Sequence, residues 1–125
     1  MPDENEPATG IPGINMAMAL SLYEGDMEIL MDIMESYAKH VPTELERMRC
    51  VSEETLRNYA IDIHTLKGAS AGIGAIDLSQ RAKRLEDLAK GGDLAGVLEH
   101  NEAFIKDAEA LIEGIKAWVA ATPQV

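Results

Sequence analysis

The residue types around His64 are suited to nucleophilic chemistry, because the chain reads His64-Thr65-Leu66-Lys67-Gly68 at this point. An imidazole is largely neutral near pH 7, so one ring nitrogen keeps a lone pair that can attack phosphorus. Lys67, one helical turn further on, supplies an ammonium that can neutralise phosphoryl oxygens. Gly68 has no side chain to crowd the imidazole. The combination suits a phosphate acceptor.

Helical periodicity indicates where these residues stand. At about 100° per residue, a group of residues falls within roughly 60° of His64: Arg57, Ala60, Lys67, Gly68 and Ala71. An apolar stripe gathers on the other side: Leu56, Tyr59, Ile63, Leu66, Ser70 and Ile73. The pattern predicts that His64 lies on the solvent face of a helix whose opposite face is core.

Start and stop signals predict the elements that position this helix. Asp26 is placed to cap a long helix, in which Pro42 is expected to cause a kink or begin a new helix. Ser52 is the expected N-cap of the His64 helix, and Gly72 and Gly74 mark its end. A further helix closes at the glycine pair 91–92, and Asp93 caps the last one.

The predicted fold class is all-α, since no segment alternates apolar and polar residues as strands do. Long helices with short links favour an antiparallel up-and-down four-helix bundle, with a short extra N-terminal helix across it from Ile14 to Leu22. We expect residues 1–12 to form a flexible tail, 13–120 the bundle domain and 121–125 a frayed C-terminus.

The charge distribution limits the classes of partner. The net charge of −11 argues against nucleic acid. Residues 1–46 hold ten acids and one base, 47–92 six acids and eight bases, and 93–125 six acids and two bases, which gives −9, +2 and −4. The segment that contains His64 is therefore the one with a positive balance, and an anion arriving there would meet local cations.

Several other kinds of site are not supported by the sequence. A single cysteine, Cys50, excludes an intramolecular disulfide. His40 and His100 are expected to be surface residues, and the three scattered histidines form no metal-binding pair. Neither a signal peptide nor a membrane span is indicated, so we expect a cytoplasmic protein.

The string HTLKGASAGIGA, from His64 to Ala75, resembles the signature of histidine-containing phosphotransfer (HPt) domains. The shared features are the histidine, a lysine three residues on, a glycine four on, a run of small residues and Gly74. The resemblance extends over the bundle from about Gly13 to Trp118. It implies that His64 is the phosphoacceptor, at Nε2, that Lys67 stabilises the phosphoryl group and that Gly68 gives steric access.

The resemblance also implies the partners. HPt domains relay phosphoryl groups between histidine kinases or their receiver domains and the aspartate of response regulators. The chain would need no cofactor of its own, because the receiver partner supplies a divalent metal, and it would be a monomer with no ATP-dependent kinase activity. Expected partner contacts are Arg57, Ala60, Ile61, Ala71, Gly72, Arg81 and Arg84. Ser70 is expected to be structural.

Some alternatives remain open at this point. Glu86 occupies a position where some relatives place a residue that orients the histidine ring, although an acid there is equally consistent with a solvated position. The domain is alternatively a regulator-binding bundle without phosphotransfer, against which the presence of both His64 and Lys67 speaks. A third alternative is the excised phosphotransfer domain of a larger chemotaxis-type kinase.

Overall fold

Five α-helices form the described part of the protein. A computed structural model describes residues 10–121 and contains α1 (Met16–Leu22), α2 (Met27–Met48), α3 (Leu56–Gly72), α4 (Ile76–Lys90) and α5 (Leu94–Ala121). No residue between 10 and 121 lies in a strand, which confirms the all-α prediction for that range. Within the same range, no helix is both long and apolar enough to cross a membrane.

The sequence predicts a flexible tail over residues 1–12 and a frayed C-terminus over residues 121–125. Residues 1–9 and 122–125 of those segments lie outside the described residues. Ile11, by contrast, is 4% exposed and belongs to the core cluster. Its Cγ2 atom lies 3.2 Å from where a Cβ on Gly114 would stand. Core packing therefore includes a residue two positions before the predicted start of the domain.

Two of the predicted N-caps are present. The Asp26 carboxylate accepts hydrogen bonds from the backbone N–H groups of Glu28 and Ile29, at 3.0 and 3.2 Å. Asp93 accepts one from the backbone N–H of Gly96 at 2.9 Å. Each carboxylate satisfies donors that a helix leaves free in its first turn and also favours the helix dipole.

The starting point predicted for the His64 helix is wrong by one turn. The backbone N–H of Ser52 donates to Thr55 Oγ1 at 2.8 Å, so Ser52 belongs to a turn, and α3 begins at Leu56. Pro42 likewise starts no new helix, because α2 runs through it from residue 27 to residue 48. Buried Val41 and Leu45 on either side of Pro42 hold the helix against the core despite the missing N–H.

The four long helices surround one aliphatic core. Each packs on the next along the chain, and α5 also packs on α2, so the contacts close into a ring. The whole predicted stripe of α3 is buried: Leu56, Tyr59, Ile63, Leu66, Ser70 and Ile73. This burial turns the opposite face of α3, which carries His64, toward solvent.

The short helix α1 is fixed to the C-terminal end of α3. The backbone N–H of Asn15 donates to the Gly74 carbonyl at 2.9 Å, and the Tyr23 hydroxyl donates to the Gly72 carbonyl at 2.6 Å. Gly74 has a φ of +78°, and a Cβ there would approach the Asn15 carbonyl oxygen to 2.6 Å. Only glycine satisfies both the backbone angle and the close contact.

Candidate functional site

His64 lies near the middle of α3 with 63% of its side chain exposed. Arg57 and Gly68, which share its face, are also exposed, whereas Ile63 and Leu66 are fully buried. The imidazole is therefore open to another molecule while its helix is anchored from behind.

Glu86 on α4 provides a buried carboxylate beneath the imidazole, with 3% of its side chain exposed. The ring nitrogen Nδ1 of His64 lies 2.8 Å from Glu86 Oε2. The Lys67 ammonium lies 2.9 Å from Oε1, and the Lys90 ammonium lies 2.9 Å from Oε2. One carboxylate thus connects the histidine to two cations, one on each helix.

The state of Glu86 decides which nitrogen of His64 is free. Burial raises the pKa of a carboxyl group, but the hydrogen bonds from Lys67, Lys90 and His64 outweigh burial and lower the pKa of Glu86 to about 2. An ionised carboxylate only accepts hydrogen bonds, so we assign the proton of the neutral ring to Nδ1. The Nε2 lone pair then remains available on the exposed side.

Two contacts with α4, in addition to its position in α3, hold Lys67 close to the imidazole. Its ammonium is anchored by Glu86, and its side chain is 29% exposed. The Ser79 hydroxyl donates to the Lys67 backbone carbonyl at 3.0 Å, which joins α4 to α3 at this level. The lysine expected to neutralise phosphoryl oxygens is therefore paired with a carboxylate in this state.

Gly68 faces open space. A Cβ placed there would meet no described atom within 4 Å, and the residue is exposed. Glycine inside a helix is less stable than alanine by about 1 kcal/mol. Since nothing in the described part of the fold requires glycine at this position, internal packing does not explain it.

The comparison with known families decides the identity. The family model described as Hpt domain matches residues 19–121, which includes α2 to α5 and the second half of α1. The chain belongs to the Hpt domain family. Membership implies phosphotransfer in two-component signalling. Comparison with curated proteins and with solved structures gave no match.

In the Hpt domain, the residues expected to contact a partner fall into three groups by their position in the fold. Arg57, Ala60, Ile61 and Ala71 share the His64 face of α3, where Ile61 is 61% exposed. Gly72 is partly covered, because a Cβ there would lie 3.4 Å from the Tyr23 hydroxyl. Arg81 and Arg84 form the third group, on α4.

The structure does not bring Arg81 and Arg84 to His64. Arg81 pairs with Asp107 on α5 at 2.8 Å and stacks over Phe104, with its guanidinium carbon 5.8 Å from the ring centre. Arg84 lines the same α4–α5 cleft. Positions 81 and 84 lie about 140° and 160° around α4 from Glu86, which points at the site.

Lys90 is the site residue that the sequence reasoning missed. A signal was available, since Glu86 and Lys90 are spaced i, i+4 on one helix in the favourable order of acid before base. Ser70 is structural, as expected: its hydroxyl lies 3.0 Å from the Tyr37 hydroxyl inside the core. Among the described residues, no group of three His, Cys, Asp or Glu side chains is arranged to hold a metal ion.

Proposed function

We propose that this Hpt domain carries a phosphoryl group on Nε2 of His64, between the aspartates of receiver domains or from a hybrid histidine kinase to a response regulator. The observation that carries the proposal is the 2.8 Å contact between His64 Nδ1 and the buried, ionised Glu86. That contact leaves Nε2 as the nucleophile on the exposed side of the ring.

The transfer step needs no oxidant or reductant. The Nε2 lone pair forms a bond to phosphorus as the bond from phosphorus to the receiver's aspartate oxygen breaks. The aspartate leaves as a carboxylate with the electron pair. The ring keeps its proton on Nδ1 and becomes an imidazolium, whose positive charge is stabilised by Glu86. Reversal of the same step hands the phosphoryl group to the next aspartate.

Lys67 and Gly68 serve the same step in different ways. The Lys67 ammonium, one turn from His64, is close enough to follow the negative phosphoryl oxygens once they are bound to the ring. The open space at Gly68 lets the receiver's acyl phosphate and its metal ion approach the helix. The metal belongs to the receiver, and the Hpt domain contributes the acceptor.

The partner surface is the exposed face of α3 around His64. Arg57, Ala60, Ile61 and Ala71 are the contacts best supported by their position there. We further propose that α2 to α5 run antiparallel, up and down, within a monomeric domain whose core begins at Ile11 rather than at the predicted residue 13. The closed ring of helix contacts and the short links between helices support this arrangement.

The proposal is tested by incubating the protein with receiver domains carrying labelled aspartyl phosphate. The expected result is an acid-labile label on His64 that is absent from His64→Gln and present in the matched variants His40→Gln and His100→Gln. Absence of label from the wild type, or label that persists in His64→Gln, would contradict the proposal. If His64→Gln still binds the receivers with unchanged affinity and cellular output is intact, the domain is a binding module instead.

A further inference from the structure

Among the described residues, Glu86 is the one ion-pair partner of Lys90. Its ammonium lies 2.9 Å from Glu86 Oε2, the oxygen that also receives His64 Nδ1. Lys90 lies one turn after Glu86 on α4, and its side chain is 64% exposed. Lys67 reaches the other oxygen of the carboxylate from α3. The two cations therefore approach one anion from different helices.

The two lysines are not equivalent once a phosphoryl group is present. Lys67 lies on the helix that carries His64, so a dianionic phosphoryl group on Nε2 competes with Glu86 for its ammonium. If Lys67 turned to the phosphoryl oxygens and Lys90 were absent, Glu86 would lose both ammonium groups, and the phosphorylated ring would be the one charged partner left to this buried carboxylate. A buried carboxylate that has lost two cationic partners binds a proton more readily, so Glu86 would compete for the Nδ1 proton of the ring.

We propose that Lys90 is a positioning residue, which keeps Glu86 ionised and directed at His64 Nδ1 while Lys67 engages the phosphoryl group. The inference rests on the proposed function of His64. Because Lys90 stays paired with Glu86, Lys67 can leave the carboxylate and bind the phosphoryl oxygens. With Glu86 still ionised, the phosphorylated ring keeps its Nδ1 proton and leaves as a neutral imidazole when the next aspartate attacks phosphorus.

The first test uses the unphosphorylated protein. Removing Lys67 as Lys67→Met imitates its departure to the phosphoryl group, and carbon-13 NMR follows the titration of the Glu86 carboxyl group. Adding Lys90→Met to Lys67→Met should raise the midpoint of that titration by more than Lys90→Met does alone. An unchanged midpoint on adding Lys90→Met would overturn the role of Lys90, whether or not the protein accepts phosphate.

The second test measures the half-life of the phosphohistidine. Lys90→Met should lengthen it by about twofold to fivefold, the range of an ion pair with one exposed partner. The reason is that a ring that gives up its Nδ1 proton to Glu86 is a poorer leaving group, and Lys90→Arg should restore the wild-type half-life. Lys83→Met is the matched control, because Lys83 lies on the same helix, is equally exposed at 64% and pairs with Asp87 at the same spacing. Thermal unfolding checks that each variant is folded.

The Glu86→Gln background distinguishes a positioning role of Lys90, through Glu86, from direct contact of Lys90 with the phosphoryl group. A neutral amide needs no counter-ion, so Lys90→Met should have no further effect on the half-life in that background. If the effect persists there, or if Lys90→Met resembles Lys83→Met, Lys90 does not act through Glu86 and the inference is wrong. A wild-type protein that takes no label contradicts the proposed function instead, so the two failures are distinguishable.

Discussion

At the scale of single residues, Glu86 shows how one buried charge can set the chemistry of an exposed group. His64 is open to solvent, yet its ring is oriented by a carboxylate that is almost wholly covered. The sequence left Glu86 undecided between orienting the ring and being solvated. That choice depends on how α4 is rotated against α3, which is a property of packing between helices. The spacing of residues within one helix carries no information about that rotation.

The ionised state of Glu86 predicts a pH dependence of stability. Its folded pKa of about 2 lies below the ordinary value of 4.5, so Glu86 contributes stability above about pH 4.5 that is lost as the pH falls toward 2. Urea unfolding should therefore find Glu86→Gln less stable than wild type by about 1–2 kcal/mol at pH 7. The difference should shrink steadily between pH 4.5 and 2.

Asp87→Asn is the control for that measurement. Asp87 is exposed and pairs with Lys83 on the same helix, so its replacement should change the free energy of unfolding by less than about 1 kcal/mol at pH 7. A Glu86→Gln variant as stable as wild type at pH 7 would show that the carboxylate is not held by its three donors.

Replacing Gly68 should raise the stability of the protein and slow phosphotransfer. Gly68→Gln should raise the free energy of unfolding by about 0.5–1 kcal/mol, because the new side chain meets open space and improves helix propensity. The same change should slow transfer from a receiver domain at least about tenfold, since the side chain lies where the partner approaches.

Labelling by the small donor phosphoramidate distinguishes access from reactivity in that variant. Gly68→Gln should accept phosphate from phosphoramidate at the wild-type rate, because a small donor needs no docking surface. Thr65→Gln, on an exposed neighbouring position of α3, should leave both reactions unchanged. Equal losses with both donors in Gly68→Gln would mean that residue 68 affects the imidazole itself.

At the scale of the helices, periodicity predicted the buried stripe of α3 correctly, and Asp26 and Asp93 were found as caps. The start of α3 was not predictable in the same way. Ser52 and Thr55 are both good capping residues, and tertiary packing of Leu56 decides which turn of the chain becomes helical. The partners of Arg81 were missed for a related reason, since Asp107 is distant in sequence and meets it only when α5 packs on α4.

Two glycines with the same backbone angle provide a matched test of how α1 is attached. Gly74 and Gly92 both have a φ of +78°, but a Cβ meets the Asn15 carbonyl at Gly74 and no described atom within 4 Å at Gly92. Gly92→Ala should cost about 1–2 kcal/mol of unfolding free energy from backbone strain alone. Gly74→Ala should cost more, because the overlap adds to the strain.

Hydrogen exchange shows which part of the fold is destabilised by the overlap in Gly74→Ala. In Gly74→Ala, the amides of α1 and of Asn15 should lose protection while those of α5 keep it, because the overlap separates α1 from the end of α3. Equal costs for the two glycine variants would show that the contact between Gly74 and Asn15 is easily relieved.

At the scale of the whole molecule, the net charge of −11 is spread unevenly. Self-repulsion among like charges destabilises a compact state, and salt screens it. Exposed ion pairs such as Lys83–Asp87 and Lys116–Glu113 are weakened by salt, but pairs of this kind contribute little. We therefore expect the free energy of unfolding to rise with sodium chloride between about 0.02 and 0.2 M.

The double variant Asp32→Asn/Glu35→Gln tests whether self-repulsion among the acids causes the rise in stability with salt. Both acids are exposed on α2, and removing two charges changes the net charge from −11 to −9. The rise in stability with salt should be smaller in this variant, as measured by thermal unfolding across the same range. A wild-type protein that loses stability as salt is added would show that its ion pairs outweigh the repulsion.

The exposure of His64 has a consequence for the duration of a signal. Enzymes that hold reactive intermediates commonly exclude water from them, but here the acceptor stands on an open helix face with 63% of its side chain accessible. Under the proposed function, residues 10–121 of the loaded protein provide no lid that must open before a receiver binds and no wall that delays hydrolysis. The memory of a stimulus would then last only as long as the phosphorus–nitrogen bond survives in water, so its length is set by the charges around one imidazole ring.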